Sequence, residues 1–139
     1  MNRMREFSCG VVLYTEVLGK REYVLIMEPS GTYGFPKGHK RRGETNLDCA
    51  LRECFEETGI KPEILPNLKR TVKYFVHNTN LKEVTYFVGK YDSNIELQPQ
   101  DSNIQSCKRY TLDAALNLIK FQQIKDILVE IDYMLDLKQ

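Results

Sequence analysis

The 139-residue chain is expected to fold as an α/β protein in which a central mixed sheet lies between helices. Three observations carry that expectation. Runs rich in β-branched and aromatic residues occur in pairs on either side of residues 45–58. Within residues 45–58 the apolar positions recur at steps of three and four, the period of a helix with one buried stripe. The segment from Thr111 keeps helical spacing almost to the C-terminus. Strands flanking a helix, followed by more helix, bury their apolar faces by layering helices on both sides of a sheet. The length suits one domain over residues 1–139, and no internal repeat or low-complexity segment divides it.

Residues 7–15, FSCGVVLYT, read as a strand, and residues 22–27, EYVLIM, as its partner across a turn at Leu18, Gly19 and Lys20. Pro29, Ser30 and Gly31 break that pattern. Residues 33–39, YGFPKGH, are too dense in glycine and proline for a helix or central strand and are expected to form a shaped loop. The helix follows, with Leu47, Ala50, Leu51, Cys54 and Phe55 as its apolar stripe and Gly59 as its stop. Pro62 and Pro66 mark a connection to a strand over residues 68–76, a turn over residues 77–80 and a second strand over residues 83–91. Alternation places Val72, Tyr74 and Val76 on one face and Lys73 and Phe75 on the other, while Val84, Tyr86 and Val88 share a face. Residues 98–103 read as a polar loop, and residues 107–110 as a short strand. Two helices or one bent helix complete the chain, with an apolar stripe that belongs to the core.

Charge and composition exclude several classes. Twenty basic residues against nineteen acidic ones leave a net charge of +1, so no global field calls for nucleic acid or an anionic membrane, and no stable nucleic-acid complex is expected. The N-terminus lacks the apolar core of a signal peptide, and no apolar run reaches membrane-spanning length. A cytoplasmic monomer is the expectation. Cys9, Cys49, Cys54 and Cys107 form no CxxC pair and have no nearby histidine, which argues for reduced, mostly buried thiols over a zinc site or redox motif.

The chemistry concentrates in residues 38–60, GHKRRGETNLDCALRECFEETGI. Glu53, Glu56 and Glu57 stand at i, i+3 and i+4 of the helix, which places their carboxylates together, opposite the apolar stripe. Oxygen-only ligands suit Mg²⁺, Mn²⁺ or Ca²⁺ better than zinc. A solvated acidic face is the ordinary alternative, but it leaves the glycine and arginine positions unexplained. Gly38, Glu44, Arg52, Glu53, Cys54, Glu56, Glu57, Gly59 and Ile60 match every fixed position of the signature of the Nudix hydrolases, with Cys54 where an aliphatic side chain is commoner. The chain thus resembles that family. The resemblance implies the Nudix α/β/α sandwich and metal-assisted attack of water on a phosphoanhydride with Mg²⁺ (or Mn²⁺) as cofactor. It implies Glu56 and Glu57 as metal ligands, Glu53 as ligand or base, the Gly38 carbonyl completing the shell, Arg52 orienting the glutamates, and Glu44 as a supporting group or alternative base.

The flanks bear on the substrate. Residues 34–39, GFPKGH, resemble the approach to the signature in asymmetric diadenosine tetraphosphate hydrolases, and Lys69, Arg70, Tyr74, Lys82 and residues 84–87, VTYF, are similar to a later stretch of that subfamily. The resemblance implies cleavage of dinucleoside polyphosphates to ATP and AMP. It implies Tyr74 stacking on adenine, Lys82 and Tyr86 on the phosphates, and Tyr133 as the other side of the stack. Lys37 and His39, beside the carboxylates, are candidate phosphate contacts, while Arg41 and Arg42 read as exposed. Against each aromatic stands its ordinary packing role, which for Tyr133 is the stronger reading. Where the subfamily carries a further glutamate this chain has Asn103, with Asp101 two residues away, which returns the base chemistry to Glu53 and Glu44. Removal of pyrophosphate from RNA 5′ ends, hydrolysis of nucleoside triphosphates, and nucleotide sensing without hydrolysis are the alternatives.

Overall fold

The computed structural model describes residues 4–76 and 80–138. The expected turn at His77, Asn78 and Thr79 lies outside the described residues, as does the side chain of Val76. β1 (Met4–Val17) and β2 (Lys20–Met27) form the expected hairpin, joined by Leu18 and Gly19 at φ 52° and 80°. Two successive positive φ values give a turn whose twist matches the strands, and Lys20 already pairs with Val17.

The loop expected over residues 33–39 is instead two short strands, β3 (Tyr33–Gly34) and β4 (Lys37–His39). Proline and glycine do not forbid such pieces at a sheet margin. Here the Val11 amide donates to the Pro36 carbonyl at 3.1 Å, and Gly10 pairs with Lys37. β5 (Glu63–Val76) begins earlier than expected, because Pro66 sits in a register irregularity between Ile64 and Lys69 rather than ending the strand. β6 (Asn80–Lys90) and β7 (Ser106–Tyr110) complete the sheet of the described residues, ordered β3-β2-β1-β6-β5, with β4 on β1 and β7 on β2. β1 and β6 run parallel and their neighbours antiparallel, so the sheet is mixed.

Alternation along β1 sends Cys9, Val11 and Leu13 to one face and Val12 and Tyr14 to the other. The first face packs on α1 (Asn46–Thr58) through Cys49, Ala50 and Cys54. The second, joined by Val84, Tyr86 and Val88 of β6, packs on α2 (Leu112–Leu118) and α3 (Gln122–Leu137) through Ala115, Ile127, Leu128 and Ile131. The arrangement is the expected helix–sheet–helix sandwich, and the helical C-terminus is two helices broken at Ile119 and Phe121. α3 is also held by polar groups. The Tyr23 hydroxyl donates to Asp132 at 2.6 Å, and Arg21 reaches both Asp132 and Asp136.

α1 is turned from its expected orientation. Leu47 and Phe55, assigned to the buried stripe, are 38% and 36% exposed, whereas Glu57, assigned to the opposite face, is 7% exposed. Small side chains at Cys49, Ala50 and Cys54 let the helix lie close on the sheet, and that contact outweighs burial of Phe55, whose ring carries the Lys61 ammonium at 5.3 Å.

Candidate active site

α1 starts at a capping box. Thr45 accepts from the Asp48 amide while Asp48 accepts from the Thr45 amide. It stops at Gly59, whose φ of 76° suits glycine and whose added Cβ would lie 2.3 Å from the Gln98 carbonyl oxygen. The loop after β6 therefore docks on the helix end. The Gln98 amide donates to the Thr58 carbonyl, and the amides of Gln100 and Asp101 donate to the main-chain carbonyl of Glu56. The Asp101 carboxylate is tied to the Asn103 amide at 2.9 Å, and Asn103 itself is exposed.

Between these ends Arg52 gathers the carboxylates. Its guanidinium donates to both oxygens of Glu44 at 2.6 and 2.9 Å, to Glu53 at 2.7 Å and to Glu56 at 3.2 Å. Another bond, at 2.9 Å, goes to the His39 carbonyl and fixes the guanidinium against β4. The Arg52 bonds, with one from the Arg41 amide, hold the Glu44 carboxyl down at about 2. Gly38 of β4 packs flat on Glu53, where a Cβ would lie 2.1 Å from the carboxyl carbon. Only glycine lets the strand and the glutamate approach so closely.

Glu57 is in the opposite situation. Its carboxylate is buried and accepts from the Lys37 amide at 3.0 Å. Burial pushes it up to about 8; the Lys37 amide pulls the other way and the charge of Glu53 adds to the rise. An acid so desolvated is stabilised as an anion by a cation brought to it. Glu53, Glu56 and Glu57 and the Gly38 carbonyl offer oxygen donors alone, the chemistry that a hard divalent ion takes, while the Gly38 carbonyl here accepts from the Cys49 thiol at 3.5 Å. Among the described residues no three acidic, thiol or imidazole side chains are arranged to hold an ion. Glu53 and Glu56 turn toward Arg52 instead, and holding an ion requires their rotation from it.

Beyond Lys37 lies a cavity of about 590 Å³ lined by Tyr33, Phe35, Lys37, Tyr74, Lys82 and Phe121, with Glu28 and residues 122–124 at its margin. Lys37 pairs with Glu28 at 3.8 Å. Of the expected substrate residues the fold brings Lys37, Tyr74, Lys82 and Tyr86 together here. Tyr86 is only 2% exposed and forms the floor, edge-on to Phe35 at 5.4 Å, its hydroxyl pushed well above the usual range by burial. Two expected residues are elsewhere. Tyr133 does not line the cavity and is 63% exposed on the outward side of α3, neither core nor stacking partner. His39 points to a second, basic groove with Arg41 and Glu44.

Sequence reasoning missed Tyr33, Phe121 and Glu28. Phe121 left a signal, since it interrupts the apolar spacing just where two helices meet and is 56% exposed. Tyr33 and Glu28 left none, because it is the pairing of β3 with β2 that brings them to the same wall.

A family model described as NUDIX domain matches residues 4–130. The bis(5′-nucleosyl)-tetraphosphatase [asymmetrical] of Rattus norvegicus is 31% identical over 137 residues, covering 88% of this chain and 90% of its own. The mRNA-decapping protein g5R of African swine fever virus is 31% identical over 116 residues, which are 78% of this chain and 46% of that protein. Among solved structures, a binary complex of a C. elegans Ap4A hydrolase superposes with a TM-score of 0.87 at 25% identity, covering 94% of this chain and 98% of that one.

Proposed function

The chain belongs to the Nudix hydrolase family, and from that premise we propose that it cleaves dinucleoside polyphosphates asymmetrically, giving ATP and AMP from diadenosine tetraphosphate. The observation that carries this reading is the junction at Lys37. Its side chain lines a cavity walled by Tyr33, Tyr74 and Phe121, while its amide bonds Glu57 of the carboxylate cluster. One strand thus joins a nucleoside-sized aromatic chamber to the carboxylates. Stacking on such rings is worth roughly 1–3 kcal/mol per base, and Lys37 and Lys82 place two ammonium groups where a phosphate chain leaves the chamber.

Glu53, Glu56, Glu57 and the Gly38 carbonyl would hold the divalent ion, in this reading Mg²⁺ or Mn²⁺, which when bound neutralises phosphate oxygens and lowers the pKa of water. Arg52 holds Glu53 and Glu56 while no ion is bound, and their rotation from it would turn them to the ion. Glu44, with its carboxyl at about 2, is too weak a base to deprotonate water near neutral pH and acts by positioning Arg52. Glu53, flush with Gly38, is a further ligand or the base of this reading. Asp101, one of whose carboxylate oxygens accepts from the Asn103 backbone amide, is given no part in it.

Among the described residues no helix is long and apolar enough to cross a membrane, and the four thiols are free. The proposal keeps the cytoplasmic monomer expected from the sequence. One specific observation favours a second reading, removal of phosphates from RNA 5′ ends: the basic groove on the far flank of β4, in a chain with a decapping relative. The intact carboxylate set speaks against sensing without hydrolysis. Incubation with Mg²⁺ and a panel of diadenosine polyphosphates, nucleoside triphosphates and 5′-triphosphorylated RNA, with products resolved, is expected to give ATP and AMP from diadenosine tetraphosphate as the fastest reaction. Faster turnover of another substrate, with no ATP formed from diadenosine tetraphosphate, removes the reading.

A further inference from the structure

The basic groove of about 440 Å³ has features the cavity does not explain. Arg5 and Phe7 share the β1 face that α1 covers from Cys9 onward, but the helix begins too far along to shelter them, and Phe7 is 44% exposed. The Arg5 guanidinium stands 6.0 Å from the centre of the Phe7 ring. Lys40 is tied to the same place, its amide donating to the Phe7 carbonyl at 3.0 Å, and Arg41 and Arg42 continue the rim. Four permanent cations meet two carboxylates there, Glu6 and Glu44, and Glu44 is already neutralised by Arg52. In a chain of net charge +1 this excess is local.

Its position relative to the carboxylates gives it meaning. Arg41 reaches within 3.7 Å of Glu56. β4 runs from Lys37 at the cavity to His39 at the groove, a step of about 7 Å along an extended strand. The carboxylate cluster therefore lies between an aromatic chamber and a cationic groove with a partly exposed ring. A polyphosphate that enters the first and is cut over α1 emerges toward the second.

We propose that this groove receives the distal nucleoside of the substrate, with Phe7 as its stacking face and Arg5, Lys40 and Arg42 on the phosphates beside it. This rests on the hydrolase reading above and extends it to the other half of the substrate. The shared chemistry is a nucleoside 5′-phosphate, which either the second adenosine of a dinucleoside polyphosphate or the first nucleotide of an RNA supplies.

The test compares affinities, by calorimetry in chelator so that the metal-dependent reaction does not run, for diadenosine tetraphosphate, adenosine 5′-tetraphosphate and a short 5′-triphosphorylated RNA, in wild type, Phe7→Ala and Phe7→Tyr. The expected result is that Phe7→Ala lowers the ratio of affinities for diadenosine tetraphosphate over adenosine tetraphosphate at least fivefold, and that Phe7→Tyr restores it. A larger loss for the RNA identifies RNA as the natural source of the distal nucleoside, and a larger loss for the dinucleotide identifies the dinucleotide. Arg5→Ala and Arg42→Ala should each reduce the salt dependence of binding by about one ion. An unchanged ratio in Phe7→Ala, with no loss for the RNA, overturns the proposal. Wild-type turnover is recorded separately, so that absence of diadenosine tetraphosphate hydrolysis counts against the substrate reading alone and leaves the affinity comparison to decide this one.

Discussion

Glu57 and Glu44 are both carboxylates of one cluster, yet their surroundings drive them in opposite directions. Glu44 accepts a bidentate guanidinium and a backbone amide, whereas Glu57 has one amide and a dry environment. The sign for Glu57 can be followed through folding. Its pKa rises on folding to about 8, from 4.5 in the open chain, so the folded state binds the extra proton between those values. Stability of the metal-free protein should fall as pH rises from about 4.5 through 8 and level off beyond. Glu57→Gln removes that dependence. In chelator, thermal melts of Glu57→Gln should match wild type near pH 4.5 and exceed it by several degrees at pH 8.5. With Mg²⁺ present the same variant should turn over slower by orders of magnitude, since the proposed ion set loses its buried anion. Equal melts at both pH values would show that Glu57 is well solvated.

At the scale of elements, β4 sets the geometry of the cluster although it is only three residues long. Gly38→Ala pushes a methyl group against the end of a flexible side chain, Glu53, rather than against backbone. The strand should survive and the glutamate should move. Turnover is expected to slow by about two orders of magnitude, the scale of a misplaced catalytic group, while the melting temperature stays within a few degrees of wild type. Kinetics and calorimetry on the same preparation check both. Strand and helix existence were legible from residue spacing, because alternation and the 3.6 period report burial directly. The rotation of α1 was not. The buried side of that helix is chosen by the small residues Cys49, Ala50 and Cys54 meeting Cys9 and Val11, and a larger Phe55 looks like the better core residue until that close contact is known. β3 and β4 did not show in residue spacing for a similar reason, since their pairing depends on long-range partners and not on local composition.

For the whole molecule, the carboxylate cluster and the cavity walls come from opposite layers. α1 supplies the glutamates on one face of the sheet, and Phe121, at the start of α3, closes the cavity from the other. The cavity therefore depends on how α3 is fastened. Tyr23, fully buried, donates to Asp132, and Arg21 bonds Asp132 and Asp136. Asp132→Ala leaves the Tyr23 hydroxyl and the Arg21 guanidinium without that partner, a loss of about 1–3 kcal/mol. It should lower the melting temperature by several degrees and raise KM for the nucleotide more than it lowers kcat. A kcat loss without a KM change would mean that the two layers do not divide binding from chemistry in this way. The motif within residues 38–60 made the carboxylates legible, but the cavity was only half legible. Tyr74 and Lys82 lie on a hairpin with a readable pattern, whereas Tyr33 and Phe121 come from distant parts of the chain.

The contacts of β4 with the catalytic helix are all made by main chain: the Lys37 amide to Glu57, the bare Cα of Gly38 against Glu53, and the His39 carbonyl to Arg52. The side chains at positions 37 and 39, one toward each side of the cluster, pair with Glu28 and Glu6 instead of with the helix. Substitution at either position can therefore change the lining of the cavity or of the groove while the main-chain contacts that set the helix against β4 stay in place.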